Sequence, residues 1–213
     1  MNIATTTPAE TGYHYNIMRR ALDVIDELGL EKLSLAQVAG KLGVQPPSLY
    51  YHFKNKSELL QEVARIMLVR VPPMRRRDDS YEERIIALCL GTRQALLQHP
   101  NAAILILRYF PKYMLLAAYD RAASDEPFPG ELQMTVIEAI EQFTYGASLF
   151  EAAARARGIE PMPDFDHDKY PALARALADN PFDDEGLFAE ALRIFLLGAR
   201  ERARTGTIGQ PLV

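Results

Sequence analysis

Apolar residues recur at helical spacing along this chain of 213 residues, and the alternation typical of strands is almost absent. Gly, Pro and short polar runs separate the apolar stretches and mark the ends of helices. The pattern predicts a first helix that Gly29 stops, and a short second helix that Ser34 caps and Gly43 ends. Pro46 and Pro47 suit the first turn of a third helix, where a missing N–H group costs little.

The rest of the chain predicts seven more helices, which makes the protein all-α. Ser57 is expected to cap a fourth helix ended by Pro72 and Pro73, and Ser80 with Glu83 to form a capping box at the start of a fifth. The others are predicted from about residue 101, over 111–124, over 131–157, over 172–178, and after a cap at Asp183 or Asp184.

The second and third helices have the length and the glycine turn of a helix-turn-helix. Val38, Leu42, Val44 and Leu49 are expected to hold the two helices together. The outward side of the third helix then offers hydrogen-bonding groups suited to base edges and phosphates, namely Gln45, Ser48, Tyr50, Tyr51 and His52. For the spacing alone, the alternative is a helical hairpin buried in a core.

Charge is distributed in a way that fits a DNA-binding head. The net charge is -4, but the first 56 residues hold six Lys and Arg against five Asp and Glu. Lys54 and Lys56 stand at the start of the fourth helix, where ammonium and backbone N–H groups can both meet a phosphate. A mildly basic head on an acidic body suits specific rather than indiscriminate binding of DNA.

The string LSLAQVAGKLGVQPPSLYYHFKNKSELL closely resembles the signature of TetR-family repressors, within a resemblance that spans roughly residues 13–70. It implies an N-terminal three-helix DNA-binding domain over residues 1–56, whose first dozen residues form a flexible arm. It also implies a helical ligand-binding and dimerisation domain over residues 57–213. The function implied is that of a transcriptional regulator, a repressor that a small molecule releases from palindromic operator DNA.

The resemblance also implies individual DNA contacts. Bases, sugar or phosphate are contacted by Gln45, Pro47, Ser48, Tyr50 and Tyr51, and the DNA backbone by Ser34, His52 and Lys56. Tetracycline repressors carry an arginine where this chain has Ala36 and a glutamine where it has Pro46, so we expect a different operator sequence.

A looser resemblance to tetracycline repressors continues in RQALLQHPNAA, FTYGASLFEAA and the spacing of the last helix. In that family two long helices pair with their counterparts in a second subunit, which implies a homodimer. Two apolar stripes at helical spacing are the candidate dimer face, with packing inside one subunit as the alternative. They comprise Val136, Ile140, Phe143, Ala147 and Phe150, and Phe188, Ala191, Leu192, Phe195, Gly198 and Ala199.

The same resemblance implies a ligand pocket in the body, with ordinary core packing as the alternative for each residue. Its candidate lining is Leu88, Thr92, Ile106, Arg108, Tyr109, Tyr113, Ile137 and Phe150. Ile106 and Phe150 stand where tetracycline repressors have the histidine and glutamate of their metal–drug site. We therefore expect a largely apolar effector with one anionic or polar group near Arg108, and neither a metal ion nor a cofactor.

Other classes of protein find less support. The chain has no long apolar run, no secretory pattern at its N-terminus and one cysteine, Cys89, so we expect a cytoplasmic protein without a membrane span. An enzyme is one alternative, but no motif of a nucleophile elbow, zinc protease or phosphate loop is present. The run from Asp164 to Asp168 could hold a hard cation, although such runs are usually solvated loops. A helical scaffold without DNA binding is the other alternative.

Overall fold

A computed structural model describes residues 8–69, 80–110, 127–160 and 162–211, together with positions 116, 119, 120, 123 and 124. These residues form helices, turns and irregular segments, and no strand occurs among them. They divide into two units: Met1–Val71 with Ala95–Tyr113, and Pro72–Gln94 with Met114–Val213. The fold class predicted from the pattern is confirmed. The functional boundary at residue 56 stays a prediction, since the first unit also takes in later residues.

Helices α1 to α4 and α6 make up the helical part of the first unit. They are α1 (Pro8–Leu28), a 3₁₀ turn (Leu30–Lys32), α2 (Leu35–Leu42), α3 (Pro46–His52), α4 (Lys56–Val69) and α6 (Ile104–Tyr109). α1 packs against α2 and α4, α2 against α3, and α4 against α6. The apolar side chains between them are fully buried, including Ile17, Ile25, Val38, Leu49 and Leu59.

Capping residues end or begin several helices where the sequence predicts them. The Ser34 side chain accepts the N–H of Gln37 over 3.2 Å at the start of α2, and Gly43 ends that helix in the left-handed region. Pro46 opens α3, and the Asp183 side chain accepts the N–H of Gly186 at the start of the last helix. These caps place the helix-turn-helix over residues 35–52.

Two predicted caps are wrong in part. Asn55, not Ser57, caps α4, because its Oδ1 accepts the N–H of Glu58 over 3.0 Å. Ser80 does cap the fifth helix through the N–H of Glu83, but the Glu83 carboxylate pairs with Arg193 instead of completing a capping box.

The second unit contains α5 (Tyr81–Gln98, whose last turn belongs to the first unit), α7 (Gly130–Ala156), α8 (Pro171–Ala178) and α9 (Asp184–Thr205). α5, α7 and α9 share one apolar core. Its buried members are Ile86, Cys89, Phe128, Leu132, Val136, Phe188, Ala189, Leu192, Leu196 and Ala199.

Three predictions near gaps in the described residues have different outcomes. The helix predicted over 111–124 lies mostly outside the described residues, and its described positions are helical. The helix expected from residue 101 begins at Ile104, after a turn. The flexible arm is wrong for residues 8–12, which already belong to α1, and residues 1–7 lie outside the described part.

Candidate functional site

The third helix presents polar side chains outward and one leucine inward. Leu49 is fully buried, whereas Tyr50 and Tyr51 are 58% and 88% exposed. Gln45, Pro47 and Ser48 are also exposed. The Ser48 hydroxyl donates to the Gln45 carbonyl over 2.7 Å, so its lone pairs remain able to accept a hydrogen bond. This face of α3 can therefore meet an external surface without disturbing the core.

The two lysines that follow α3 differ in their surroundings. The Lys56 ammonium donates to the carbonyl oxygens of Leu30 and Glu31, each over 3.2 Å, and thereby fastens α4 to the 3₁₀ turn. Lys54 is exposed, and its backbone N–H donates to the Glu58 carboxylate over 2.7 Å. Lys54 is thus the better placed of the two for a contact outside the chain.

His52 lies in a group of rings that the sequence pattern did not reveal. Its ring centroid is 5.3 Å from those of Tyr13 and Tyr51 and 5.8 Å from that of His14. Burial, opposed in part by the Glu62 carboxylate, lowers the pKa of His14, whose ring also packs 4.7 Å from Phe53. α1 therefore supports the end of α3, through contacts between residues far apart in sequence.

A polar contact joins α1 to the turn after α5 within the first unit. His99 Nδ1 lies 2.6 Å from Asp26 Oδ2, and the Asn101 side chain donates to the Asp26 carbonyl over 3.2 Å. At the other end of α6, the hydroxyl groups of Ser57 and Tyr109 are 3.2 Å apart. Polar contacts thus hold the two ends of the α6 segment to α1 and to α4.

The predicted dimer face requires correction. Val136, Phe188, Leu192 and Ala199 are buried in the core of the single chain, so they are not available to a second subunit. Ile140, Ala147 and Phe195 are partly buried against that same core, and Ala191 is also partly buried. Only Phe143 and Gly198 of the predicted set, apart from Phe150, are exposed.

An apolar set that only partly overlaps the predicted one is exposed on α7 and α9, and we call it the outer face. It consists of Phe143, Phe150, Leu187, Ile194 and Leu197, with exposed fractions of 38%, 84%, 46%, 64% and 69%. Phe150 and Leu187 also line an open groove of about 290 Å³. At its floor the buried Arg93 pairs with Glu151, and its guanidinium lies 5.5 Å from the ring centre of Phe188.

The predicted pocket residues are divided between the two units. Ile106 is buried in the first unit, and Arg108 is exposed with its guanidinium 5.6 Å from the ring centre of Tyr109. Phe150 lines the open groove, so its place in a ligand site stays a prediction. In the second unit, Leu88 is half exposed, Thr92 is buried and Ile137 is partly buried. Tyr113 lies outside the described residues.

A polar cluster that sequence reasoning missed lies between α5 and α7. The Tyr119 hydroxyl donates to Glu141 over 2.5 Å, and Tyr145 follows Glu141 by one helical turn. Burial raises the pKa of the Cys89 thiol to about 11. Burial first, and then the Glu141 charge, raise the pKa of Tyr145 well above its usual value.

The described residues offer neither a cluster of metal ligands nor a membrane span. Nowhere in the described ranges do three His, Cys, Asp or Glu side chains converge as a metal site would require. In the acidic loop, Asp166 Oδ1 instead accepts the backbone N–H groups of Asp168 and Lys169, over 3.0 Å and 3.2 Å. Each helix of the described part is too short or too polar to span a bilayer.

Comparison with known proteins gives consistent matches. Residues 17–63 match the family model of bacterial regulatory proteins of the tetR family. The class A tetracycline repressor of Escherichia coli transposon 1721 is 30% identical over 194 residues, which cover 87% of this chain and 89% of that protein. A possible TetR-family regulator from Streptomyces coelicolor A3(2) has a TM-score of 0.67 and 26% identity, covering 88% of this chain and 98% of its own. A TetR variant from Acinetobacter baumannii AYE, in complex with minocycline, has a TM-score of 0.66 and 22% identity, covering 89% and 94%.

Proposed function

Because this chain belongs to the TetR family, we propose that it is a homodimeric transcriptional repressor that a small molecule releases from a palindromic operator. The observation that carries the proposal is the exposed polar side of α3, held in place by the fully buried Leu49. A helix of this kind can enter a major groove while its packing on α2 stays intact.

In this proposal the DNA contacts come from α3 and the residues beside it. Gln45, Ser48 and Tyr50 read base edges, because their side chains are exposed and can form hydrogen bonds. Pro47 and Tyr51 meet the sugar–phosphate backbone, together with Ser34, His52 and Lys54. Lys56 contributes mainly by fastening α4 to the 3₁₀ turn, since two carbonyl oxygens already engage its ammonium group.

Binding to DNA from upstream of the chain's own gene tests this assignment by fluorescence anisotropy across a salt series. Lys54→Ala should weaken binding to all sequences and reduce the slope of log K against log salt by about 0.9. Tyr50→Ala should weaken operator binding and leave the fold intact, because the side chain is 58% exposed. Lys169→Ala, an equal change of charge at an exposed site of the second unit, is the control. Wild-type affinity in both folded head variants would contradict the assignment.

The outer face is the proposed dimer face. Two-fold symmetry places two recognition helices on a palindrome, and a single short recognition helix binds weakly. Large apolar side chains exposed together on α7 and α9 are typical of a surface covered by another subunit. Gly198 lies exposed on α9, and because glycine has no side chain it permits the close approach of a second helix.

Regulation and location complete the proposal. The second unit would bind a largely apolar small molecule. This molecule would bind one conformation of the dimer more tightly than the other, and the favoured conformation would have a lower affinity for the operator. The protein would act in the cytoplasm, where operator DNA is accessible, and without enzymatic activity of its own. Support comes from the relatives, which are named as repressors, and from the solved TetR variant in complex with minocycline.

A further inference from the structure

Glu141 is unusual among the carboxylates of the second unit. Three other glutamates there are partly buried, and each pairs with arginine: Glu82 with Arg200, Glu151 with Arg93 and Arg155, and Glu190 with Arg193. Glu141 is also partly buried, but its partner is the phenol of Tyr119 at 2.5 Å. Among the described residues, no cation lies within ion-pair distance of it.

The surroundings of Glu141 favour a positive charge. Among the described residues, the hydrogen-bond partner of Glu141 is the neutral phenol of Tyr119. A partly desolvated carboxylate in such surroundings is costly, and a cation close by lowers that cost. The two neighbouring phenols are neutral near pH 7, as tyrosines ordinarily are, and burial and the Glu141 charge raise the pKa values of both Tyr119 and Tyr145 further. Neutral phenols offer hydrogen-bonding oxygen atoms and aromatic faces, and both attract ammonium groups.

The position of Glu141 on α7 connects it to the predicted pocket. Ile137, Glu141 and Tyr145 follow one another at intervals of four residues, so they share one side of the helix. The neighbouring positions Thr144 and Ser148 are buried, Cys89 of α5 packs in one core with Leu132 and Val136 of α7, and Cys89 also raises the pKa of Tyr145. This side of α7 therefore points toward α5, which carries Leu88 and Thr92 of the predicted lining.

We propose that Glu141, Tyr119 and Tyr145 form the polar end of the effector site, and that the effector is an amphiphilic cation with an ammonium group. The apolar part of the molecule lies along Ile137 and the adjoining side of α5. This inference rests on the proposed effector-controlled repressor and names its ligand class. It replaces the expectation of an anionic group near Arg108, which is exposed.

Three probes with the same skeleton separate charge from shape: 4-phenylbutylamine, 4-phenylbutanol and 4-phenylbutyrate. Isothermal titration of the full-length protein should give an affinity for the amine at least about tenfold above those for the alcohol and the carboxylate, a difference of about 1.4 kcal/mol. Glu141→Gln should abolish this preference and leave alcohol binding unchanged. Glu141→Asp, which keeps the charge, should retain it. Glu138→Gln, at an exposed site one turn earlier on α7, is the matched control.

The outcomes separate this inference from the proposed function. Equal affinity for the three probes, a preference for the carboxylate, no amine binding at millimolar concentration, or an amine preference that survives Glu141→Gln each overturn the inference. Thermal unfolding of each variant confirms that it is folded. Operator binding is measured separately by anisotropy: its absence in the wild type contradicts the repressor, whereas operator binding without a Glu141-dependent amine preference contradicts only the cationic effector.

Discussion

At the scale of single residues, Gly43 fixes the turn of the helix-turn-helix. Its backbone has φ of +68° and ψ of +27°, the left-handed conformation that other residues adopt only at a cost. Gly43→Ala should therefore lower the free energy of unfolding by about 1–2 kcal/mol, as measured by urea denaturation.

Gly40 provides the matched control for that substitution. It lies exposed within α2, and a Cβ atom there would meet nothing within 4 Å. Gly40→Ala should raise the free energy of unfolding by about 0.5–1 kcal/mol, because alanine restricts the unfolded chain and favours helix. The same sign for both substitutions would contradict the role given to Gly43.

His14 should make the stability of the first unit depend on pH. Burial lowers its pKa in the folded protein below the ordinary value of 6.5, so the unfolded chain binds the proton more tightly. The unfolded state then binds more protons as the pH falls below about 6.5, and the free energy of unfolding decreases. The urea midpoint should fall between pH 7.5 and pH 5, and His14→Gln should reduce that fall. His167→Gln, at an exposed loop position, should not change the profile.

At the scale of elements, α1 and the turn after α5 are held together by Asp26 and His99. Asp26 Oδ2 is 2.6 Å from the His99 ring, and Asp26 Oδ1 is buried without a partner among the described residues. Loss of the imidazole would leave the partly buried Asp26 carboxylate without its hydrogen-bond partner. His99→Ala should therefore lower the free energy of unfolding by about 1–3 kcal/mol. Gln98→Ala, at the exposed neighbouring position, should change it by less than about 0.5 kcal/mol. Equal effects on thermal unfolding would contradict the role of this contact.

Helix ends were predictable from the sequence because their causes are local. Ser34, Gly43, Pro46 and Asp183 act within one turn of the residue that carries the signal. Partners distant in sequence were not predictable. The local sequence does not show that Glu83 pairs with Arg193 instead of capping its own helix. Nor does it show that the Lys56 ammonium donates a hydrogen bond to the 3₁₀ turn.

The dimer face illustrates a second limit. α9 carries apolar residues on two sides: Phe188 and Leu192 belong to the core, whereas Ile194 and Leu197 are exposed. Both sets satisfy helical spacing, so periodicity cannot distinguish the side that packs within the chain from the side that is left exposed. Likewise, the hydrogen bond of Glu141 with Tyr119 and the electrostatic interaction of Tyr145 with Cys89 set these residues apart from a solvated helix face, and the sequence pattern shows neither.

At the scale of the whole molecule, dimerisation and operator binding should fail together. Leu197 is 69% exposed on the outer face, so Leu197→Glu should leave the fold of the single chain intact but bury a carboxylate in the dimer interface. A buried unpaired charge should weaken the free energy of dimerisation by about 3–5 kcal/mol. Sedimentation at micromolar concentration should then give the coefficient of a monomer instead of a dimer. Affinity for the palindromic operator should fall with it, because the two recognition helices no longer bind as one unit.

Two further substitutions make this test specific. Leu173→Glu, at an exposed position of α8 outside the outer face, should leave both the dimer and operator binding unchanged. Phe195→Glu should instead unfold the second unit, because Phe195 packs against the core of its own chain. A dimer that survives Leu197→Glu, or a wild-type monomer at micromolar concentration, would contradict the assignment of the outer face. Loss of operator binding by a Leu197→Glu protein that is still dimeric would show instead that Leu197 acts on the DNA-binding head by another route.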